Sequence, residues 1–269
     1  MIRERRAADR PFFDNAGHPL AFAHRGGAAT AALRPLENSM SAFETAVGLG
    51  FRYLETDVRT TADGVLVAFH DARLDRATDR SGVIAALPYA KVRRARIAGQ
   101  EPIPTLDELL ATWPEVHLNV DCKTAAAVRP LLHAIERHRA WDRVCLASFS
   151  PGLLHRLRRA AGPRVATAHT VLGVAALRLV PGRGARRTLL ARGGEVAQVP
   201  ARQGRLEVVT AEFVARAHEL GKQVHVWTVD DPVEIRRLLD LGVDGIMSDR
   251  IDILRDVLLA RGQWPERAP

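Results

Sequence analysis

Carboxylates at alternate positions are the first chemical signal in the chain. In Tyr53-Leu54-Glu55-Thr56-Asp57-Val58, residues two apart share one face of a strand. Glu55 and Asp57 therefore point one way, and Leu54, Thr56 and Val58 the other. Two acids on the inner face of an apolar strand repel each other unless they are protonated or neutralised by a cation. A salt-bridged structural pair would satisfy the same pattern, and this strand alone does not choose between the two. The pattern repeats in His117-Leu118-Asn119-Val120-Asp121-Cys122-Lys123, where Asn119, Asp121 and Lys123 share a face while Leu118, Val120 and Cys122 face outward. Asp121 is then a third carboxylate. Three oxygen donors without a thiolate–imidazole set favour Ca²⁺ or Mg²⁺ over zinc.

Two histidines stand at strand ends, His24 in Ala23-His24-Arg25-Gly26-Gly27 and His70 in Phe69-His70-Asp71. A lone histidine is more often structural than catalytic, but two on the same face as three carboxylates point to acid–base chemistry. Arg25 offers a forked donor suited to phosphate, and Gly26 and Gly27 could let the backbone approach a ligand. Trp227, taken alone, reads as a core residue.

The elements that must position these groups alternate between short apolar strands and helical stretches, which is α/β architecture. The strands are predicted at Ala21–His24, Tyr53–Val58, Val65–Phe69, His117–Cys122, Val144–Phe149, Val165–His169, Val196–Val199, Val224–Val229 and Gly245–Ser248. That is one more than an eight-stranded barrel needs. Asp63-Gly64 is a hairpin signal, so Val65–Phe69 is expected to run back antiparallel and bring His70 roughly opposite Asp57. The other eight strands make a (β/α)8 TIM barrel with its active site at the C-terminal strand ends.

Helix starts carry suitable caps: Thr105 with Glu108 forms a capping box, Ser150-Pro151 and Asp231-Pro232 place a cap before proline, and Thr124 and Thr210 could cap theirs. Helix Ser39–Leu49 puts Met40, Phe43 and Val47 on one face. Residues 72–104 lack a βα rhythm and are expected to form a small insertion over one end of the barrel. Leu172–Gly194, rich in Gly and Arg, is expected to hold one helix and a loop. The expected organisation is an N-terminal extension over 1–20, one barrel domain over 21–260 and a tail over 261–269.

At 269 residues, with 47% hydrophobic composition, the chain suits a single barrel with a large core. The net charge is +8, nearly all from arginine, since Lys91, Lys123 and Lys222 are the only lysines. The arginines are scattered and not interleaved with aromatics, so no nucleic-acid partner is expected, although the positive field can attract an anionic substrate. Cys122 and Cys145 read as buried thiols. No apolar run reaches the roughly 20 residues of a membrane span, and Met1–Arg10 lacks the apolar segment of a secretory signal. A cytoplasmic protein without stable membrane insertion is expected.

These residues resemble the glycerophosphodiester phosphodiesterases, which belong with the phosphatidylinositol-phospholipase-C-like barrels. The resemblance rests on His24-Arg25-Gly26, Glu37-Asn38-Ser39, Glu55-x-Asp57, His70-Asp71, Asn119-Val120-Asp121-Cys122-Lys123, Val226-Trp227-Thr228-Val229 and Asp244-Gly245-Ile246-Met247-Ser248-Asp249. It runs in order from about Ala21 to Leu258, and the excursion after His70 falls where that family carries its insertion. It implies that His24 and His70 are the acid–base pair and that Glu55, Asp57 and Asp121 bind a divalent ion, Ca²⁺ or Mg²⁺. It also implies that Arg25 and Lys123 hold the phosphate, Glu37 and Asn38 support the site, and Trp227 lines the substrate pocket. The implied reaction releases sn-glycerol 3-phosphate and an alcohol from a glycerophosphodiester.

Three features depart from the family pattern. Asp121 stands where Glu is usual, Leu36 is inserted in Pro35-Leu36-Glu37-Asn38-Ser39, and the apolar loop Ala28–Leu33 could border the mouth of the site. Two alternatives stay open: a lysophospholipase D-type hydrolase, with its apolar channel sought at Ala28–Leu33 and Leu172–Leu179, and a non-catalytic phosphate- or nucleic-acid-binding barrel.

Overall fold

Side chains alternate between two destinations along the main strands, one set facing the barrel interior and the other the surrounding helices. The computed structural model describes residues 5–191 and 193–265. In chain order, β1 (Leu20–His24) leads to α1 (Met40–Gly48), then β2 (Tyr53–Thr60) turns back into the short β3 (Leu66–Ala68). An excursion follows with α2 (Tyr89–Val92) and the two-residue strands β4 (Arg96–Ile97) and β5 (Glu101–Pro102), before α3 (Leu106–Thr112). Next come β6 (His117–Cys122), α4 (Val128–Arg137), β7 (Val144–Ala147), α5 (Pro151–Ala161) and β8 (Ala166–Thr167). Two helices, α6 (Val171–Leu179) and α7 (Arg183–Leu190), precede β9 (Val196–Pro200) and the hairpin of β10 (Arg202–Gln203) and β11 (Leu206–Glu207). The chain ends through α8 (Ala211–His218), β12 (Gln223–Trp227), α9 (Pro232–Asp240), β13 (Gly245–Ser248) and α10 (Ile251–Ala260).

Eight strands lie in the order β8-β7-β6-β2-β1-β13-β12-β9, each pair parallel. The seam between β8 and β9 is held by a single bridge, Ala168 with Val196, and by His169 N–H donating to Val196 O at 2.7 Å. The result is a near-closed TIM barrel. As the Asp63-Gly64 signal predicts, β3 pairs antiparallel with β2, Val58 opposite Ala68, and Phe69 N–H reaches Asp57 O.

Leu20, Phe22, Tyr53, Cys145, Ala166, Val196 and Met247 fill the barrel interior with Phe12 and Phe13 from the N-terminal segment. Phe12 packs edge-on against Tyr53 with ring centroids 5.5 Å apart. The same segment brings Arg5 and Arg10 onto the fully buried Glu195, at 2.8 and 2.7 Å. Outward residues such as Ala21, Ala23, Leu54, Leu118, Val120 and Cys122 pack against the helices in a second, larger core. Residues of the excursion build a third core around Leu74, Ile84, Val92 and Ile97, roofed on Val67 and Phe69. Both cysteines are free and buried.

The Thr105–Glu108 capping box and the caps at Ser150, Thr210 and Asp231 form as expected, and Ser39 caps α1 through Ala42 N–H. Two expectations need correction. Thr124 starts only a 3-10 turn, and its side chain caps nothing. Leu172–Gly194 holds two helices, not one helix and a loop: Thr170 caps α6, while Pro181-Gly182 breaks the run before α7 restarts. Residues 1–4 of the expected extension and 266–269 of the expected tail lie outside the described residues. Trp264, just before that limit, packs edge-on against Phe51 at 4.9 Å. Among the described residues no helix is long and apolar enough to cross a membrane.

Candidate active site

Because β1, β2, β6, β12 and β13 are parallel and in fixed register, their inward residues at the C-terminal ends converge on one cavity of about 550 Å³. Its lining includes His24, Arg25, Glu55, Asp57, His70, Asp121, Lys123 and Trp227. Eight of the ten residues singled out from sequence thus meet there. Glu37 and Asn38 stand behind the wall.

The acidic centre is built by register. Glu55 sits opposite Asn119 and Asp57 opposite Asp121 on neighbouring strands. Lys123 Nζ bridges the pair, 2.8 Å from Asp57 Oδ1 and 2.6 Å from Asp121 Oδ2. Arg25 Nε lies 3.3 Å from Asp57 Oδ2. Burial pushes the pKa of Asp57 up, but Lys123 and Arg25 outweigh it and hold the carboxyl below its usual range. Burial raises Asp121 more than Lys123 lowers it, so Asp121 stays above its usual value. Glu55, 5% exposed, is pushed up to about 7 by burial and then by Asp57.

Each histidine has one nitrogen held by a carboxylate. His24 Nδ1 lies 2.6 Å from Asp249 Oδ1, and its Nε2 lies 3.7 Å from Glu55 Oε2. Burial works to lower the His24 pKa, yet Glu55 and Asp249 overcome it and the net shift is upward. His70 Nδ1 lies 2.7 Å from Asp71 Oδ1, and Asp71 in turn accepts from Arg76 Nε at 2.5 Å. Arg76, from the excursion, also pairs with Glu37, which accepts from Arg25 Nη1 at 3.3 Å. A chain of ion pairs therefore ties the insertion to Arg25.

The backbone around Arg25 is forced. Arg25 and Asn38 both adopt left-handed φ, 53° and 59°, conformations that cost about 1–3 kcal/mol each and persist where surroundings impose them. Here Asn38 N–H donates to Arg25 O at 2.8 Å, Arg25 N–H to Glu55 Oε2 at 3.2 Å, and the Asn38 side chain to Asp57 Oδ2 at 3.4 Å. Thr56 Oγ1 completes the set by donating to Asn38 Oδ1 at 2.7 Å. Gly26 and Gly27 meet a packing requirement that the sequence did not suggest. A Cβ on Gly26 would lie 2.8 Å from Ala42 Cβ, and one on Gly27 2.3 Å from Ile251 Cγ2. Their close approach is to α1 and α10.

The cavity has two halves. Charged groups from β1, β2, β3 and β6 form one wall, while Phe149, Val171, Val174, Val208 and Trp227 line the other. Phe149 stands where they meet: its ring packs edge-on against Trp227 at 5.5 Å, with Lys123 Nζ 5.4 Å from its centroid. Gln198 reaches across the floor and donates to Asn119 Oδ1 at 2.7 Å. Helix α6 thus contributes to the apolar wall, whereas none of the described side chains of 28–33 lines the cavity. Asp249, Asp71, Arg76, Gln198 and Phe149 received no role from sequence. Strand parity could have found Asp249, two residues beyond the inward Met247; nothing local could have paired it with His24.

The arrangement can grip an anion with Arg25 and Lys123 and move protons at two imidazoles beside it. Comparison with known proteins agrees with that chemistry. Residues 24–253 match the glycerophosphoryl diester phosphodiesterase family. The chain is 44% identical over 250 residues to "Probable glycerophosphodiester phosphodiesterase 2" of Mycobacterium tuberculosis, covering 92% of this chain and 94% of that one. It is 28% identical to a glycerophosphodiester phosphodiesterase of Bacillus altitudinis, with 85% and 93% covered. Its fold matches that of an Oleispira antarctica phosphodiesterase solved with its product sn-glycerol-3-phosphate, with a TM-score of 0.75, 22% identity, and 90% and 97% of the two chains covered. The extent of these matches establishes that the chain belongs to the glycerophosphoryl diester phosphodiesterase family and is a phosphodiesterase.

Proposed function

We propose that the protein hydrolyses glycerophosphodiesters to sn-glycerol 3-phosphate and an alcohol, with a divalent cation, Ca²⁺ or Mg²⁺, bound by Glu55, Asp57 and Asp121. The observation that carries the reading is the convergence of two carboxylate-held histidines, two phosphate-type cations and three buried carboxylates on one cavity. Among the described residues no ready-made cage of three ligand side chains is present; Lys123 bridges two of the acids instead. The donor set still fits a hard cation. Asp121 Oδ1 is buried without a hydrogen-bond partner, and burial together with the neighbouring Asp57 disfavours the charge of Glu55. When bound, the cation supplies Lewis-acid polarisation of a phosphoryl oxygen.

The side chains do the rest. Arg25 and Lys123 offset charge on the non-bridging phosphoryl oxygens. Asp249 and Asp71, each on a histidine Nδ1, leave Nε2 as the nitrogen that exchanges protons. One imidazole takes the proton of the attacking hydroxyl, and the other gives one to the leaving alcohol oxygen. Trp227 and Phe149 form the wall against which the alcohol lies.

The test is release of glycerol 3-phosphate from glycerophosphocholine after EDTA treatment, with Ca²⁺, Mg²⁺ or Zn²⁺ restored separately, alongside thermal unfolding with and without each ion. Ca²⁺ or Mg²⁺ should restore turnover and raise the melting temperature, since a ligand that binds only the folded state stabilises it. Full turnover without metal and no thermal shift would remove the cation from the reading. A second reading, lysophospholipase D-type cleavage, draws on the apolar half of the cavity. A kcat/KM for lysophosphatidylcholine well above that for glycerophosphocholine would favour it.

A further inference from the structure

We infer that the rim of the cavity on the β7–β9 side is a docking surface for an anionic phospholipid membrane. The loops that follow parallel strands all emerge on one face of the barrel, so residues just after β7, β8 and β9 stand together at the mouth. Those residues are apolar and exposed: Phe149 is 63% exposed, Val171 62%, Leu172 73% and Leu206 57%. Four large apolar side chains on neighbouring segments (the turn after β7, the first turn of α6 and the β10–β11 hairpin) are more than the scattered single exposures a soluble surface ordinarily carries.

Charge argues for the occupant. The β10–β11 hairpin reads Arg202-Gln203-Gly204-Arg205-Leu206, exposed throughout; Arg205 stands in the turn beside Leu206, which faces Gln203 across the pair, and Arg202 opens the facing strand opposite Glu207. Exposed arginines on the same hairpin as an exposed leucine suit the boundary of an anionic leaflet, where the apolar group enters the acyl edge and arginine meets phosphate. The chain's net charge of +8 adds a long-range attraction to the same surface. The rim is also continuous with the cavity, because Phe149, Val171 and Gln203 line both. A docked membrane would place a lipid phosphodiester at the apolar wall without requiring it to cross water. This inference rests on the proposed reading only in taking the mouth as the substrate's entrance.

The experiment is vesicle co-sedimentation of the full chain with phosphatidylcholine alone and with about 30% phosphatidylglycerol added. The rim variant is Leu172→Glu/Leu206→Glu; neither residue lines the cavity. The control is Leu259→Glu, an exposed leucine at the far end of α10. Wild type and control should bind the anionic vesicles roughly tenfold more than the neutral ones, and the rim variant should lose roughly tenfold of that binding. Turnover of soluble glycerophosphocholine should be the same in all three. Failure of wild type to bind anionic vesicles, or equal binding by rim variant and control, overturns the inference. If the rim variant melts early, Leu172→Ser/Leu206→Ser decides by the same criteria. Rim-dependent binding by a protein that fails to cleave glycerophosphocholine upholds the docking surface and counts against the catalytic reading.

Discussion

Glu55→Gln should make the metal-free protein more stable at alkaline pH while it damages the enzyme. Glu55 is buried beside Asp57, and its carboxyl is pushed up to about 7 from an ordinary value of 4.5. A carboxyl raised on folding holds its proton more tightly in the folded chain. Its contribution to stability is therefore fully present below about 4.5 and is lost as pH climbs through about 7. At about 1.4 kcal/mol per tenfold change in proton affinity, that gap sets a ceiling of roughly 3 kcal/mol.

Glutamine keeps the shape and can still accept from Arg25 N–H, but it gives up the attraction to His24 at 3.7 Å. The net gain should be about 1–2 kcal/mol at about pH 8 and near zero at about pH 5. For a chain of this size that corresponds to roughly 3–6 °C in melting temperature. The assay is thermal unfolding of both proteins in EDTA at the two pH values, repeated with excess Ca²⁺. Calcium should raise wild type more than the variant, because one ligand charge is missing. A variant that melts below wild type at about pH 8 in EDTA refutes the argument, as does a difference that does not change with pH.

His24→Ala and His70→Ala should each lower kcat by roughly 10²–10⁴-fold, with the double variant losing less than the product; a single variant within a factor of about three of wild type removes that histidine from the chemistry. Asp249→Asn should lower kcat about 10- to 100-fold with little change in KM, as expected for a group that orients an imidazole, and Asp249→Glu should recover part of the loss; a pure KM effect in steady-state kinetics would contradict the positioning role. Glu195→Ala should cost about 3 kcal/mol or more, because Arg5 and Arg10 lose their buried counter-charge. The protein that remains folded should keep its turnover at low temperature; unchanged thermal unfolding would mean that the N-terminal plug is held by Phe12 and Phe13 alone.

Much of the fold was legible because its signals are local. Period-two alternation in Tyr53–Val58 and His117–Cys122 assigns inward and outward faces without knowledge of the neighbours, and both strands formed with those faces. Asp63-Gly64 announced the hairpin, and the caps at Thr105, Ser150, Thr210 and Asp231 marked helix starts, since a cap is a contact between residues two or three apart. The second helix within Leu172–Gly194 was missed because its Gly- and Arg-rich composition hides a helix that docking on the barrel stabilises.

The sequence by itself therefore determined which residues face the barrel axis and which chemical types meet at its C-terminal end. Tertiary structure decided their pairing. Lys123 was expected to hold phosphate, and only the register of β2 against β6 places it between Asp57 and Asp121. The His24–Asp249 contact joins residues 225 apart, and it exists because β1 and β13 are neighbours in the barrel. The division of the cavity into a charged and an apolar wall depends likewise on the lateral order of strands. Strand direction and face follow from backbone stereochemistry within a few residues, whereas which buried charge meets which is settled by long-range packing around the barrel.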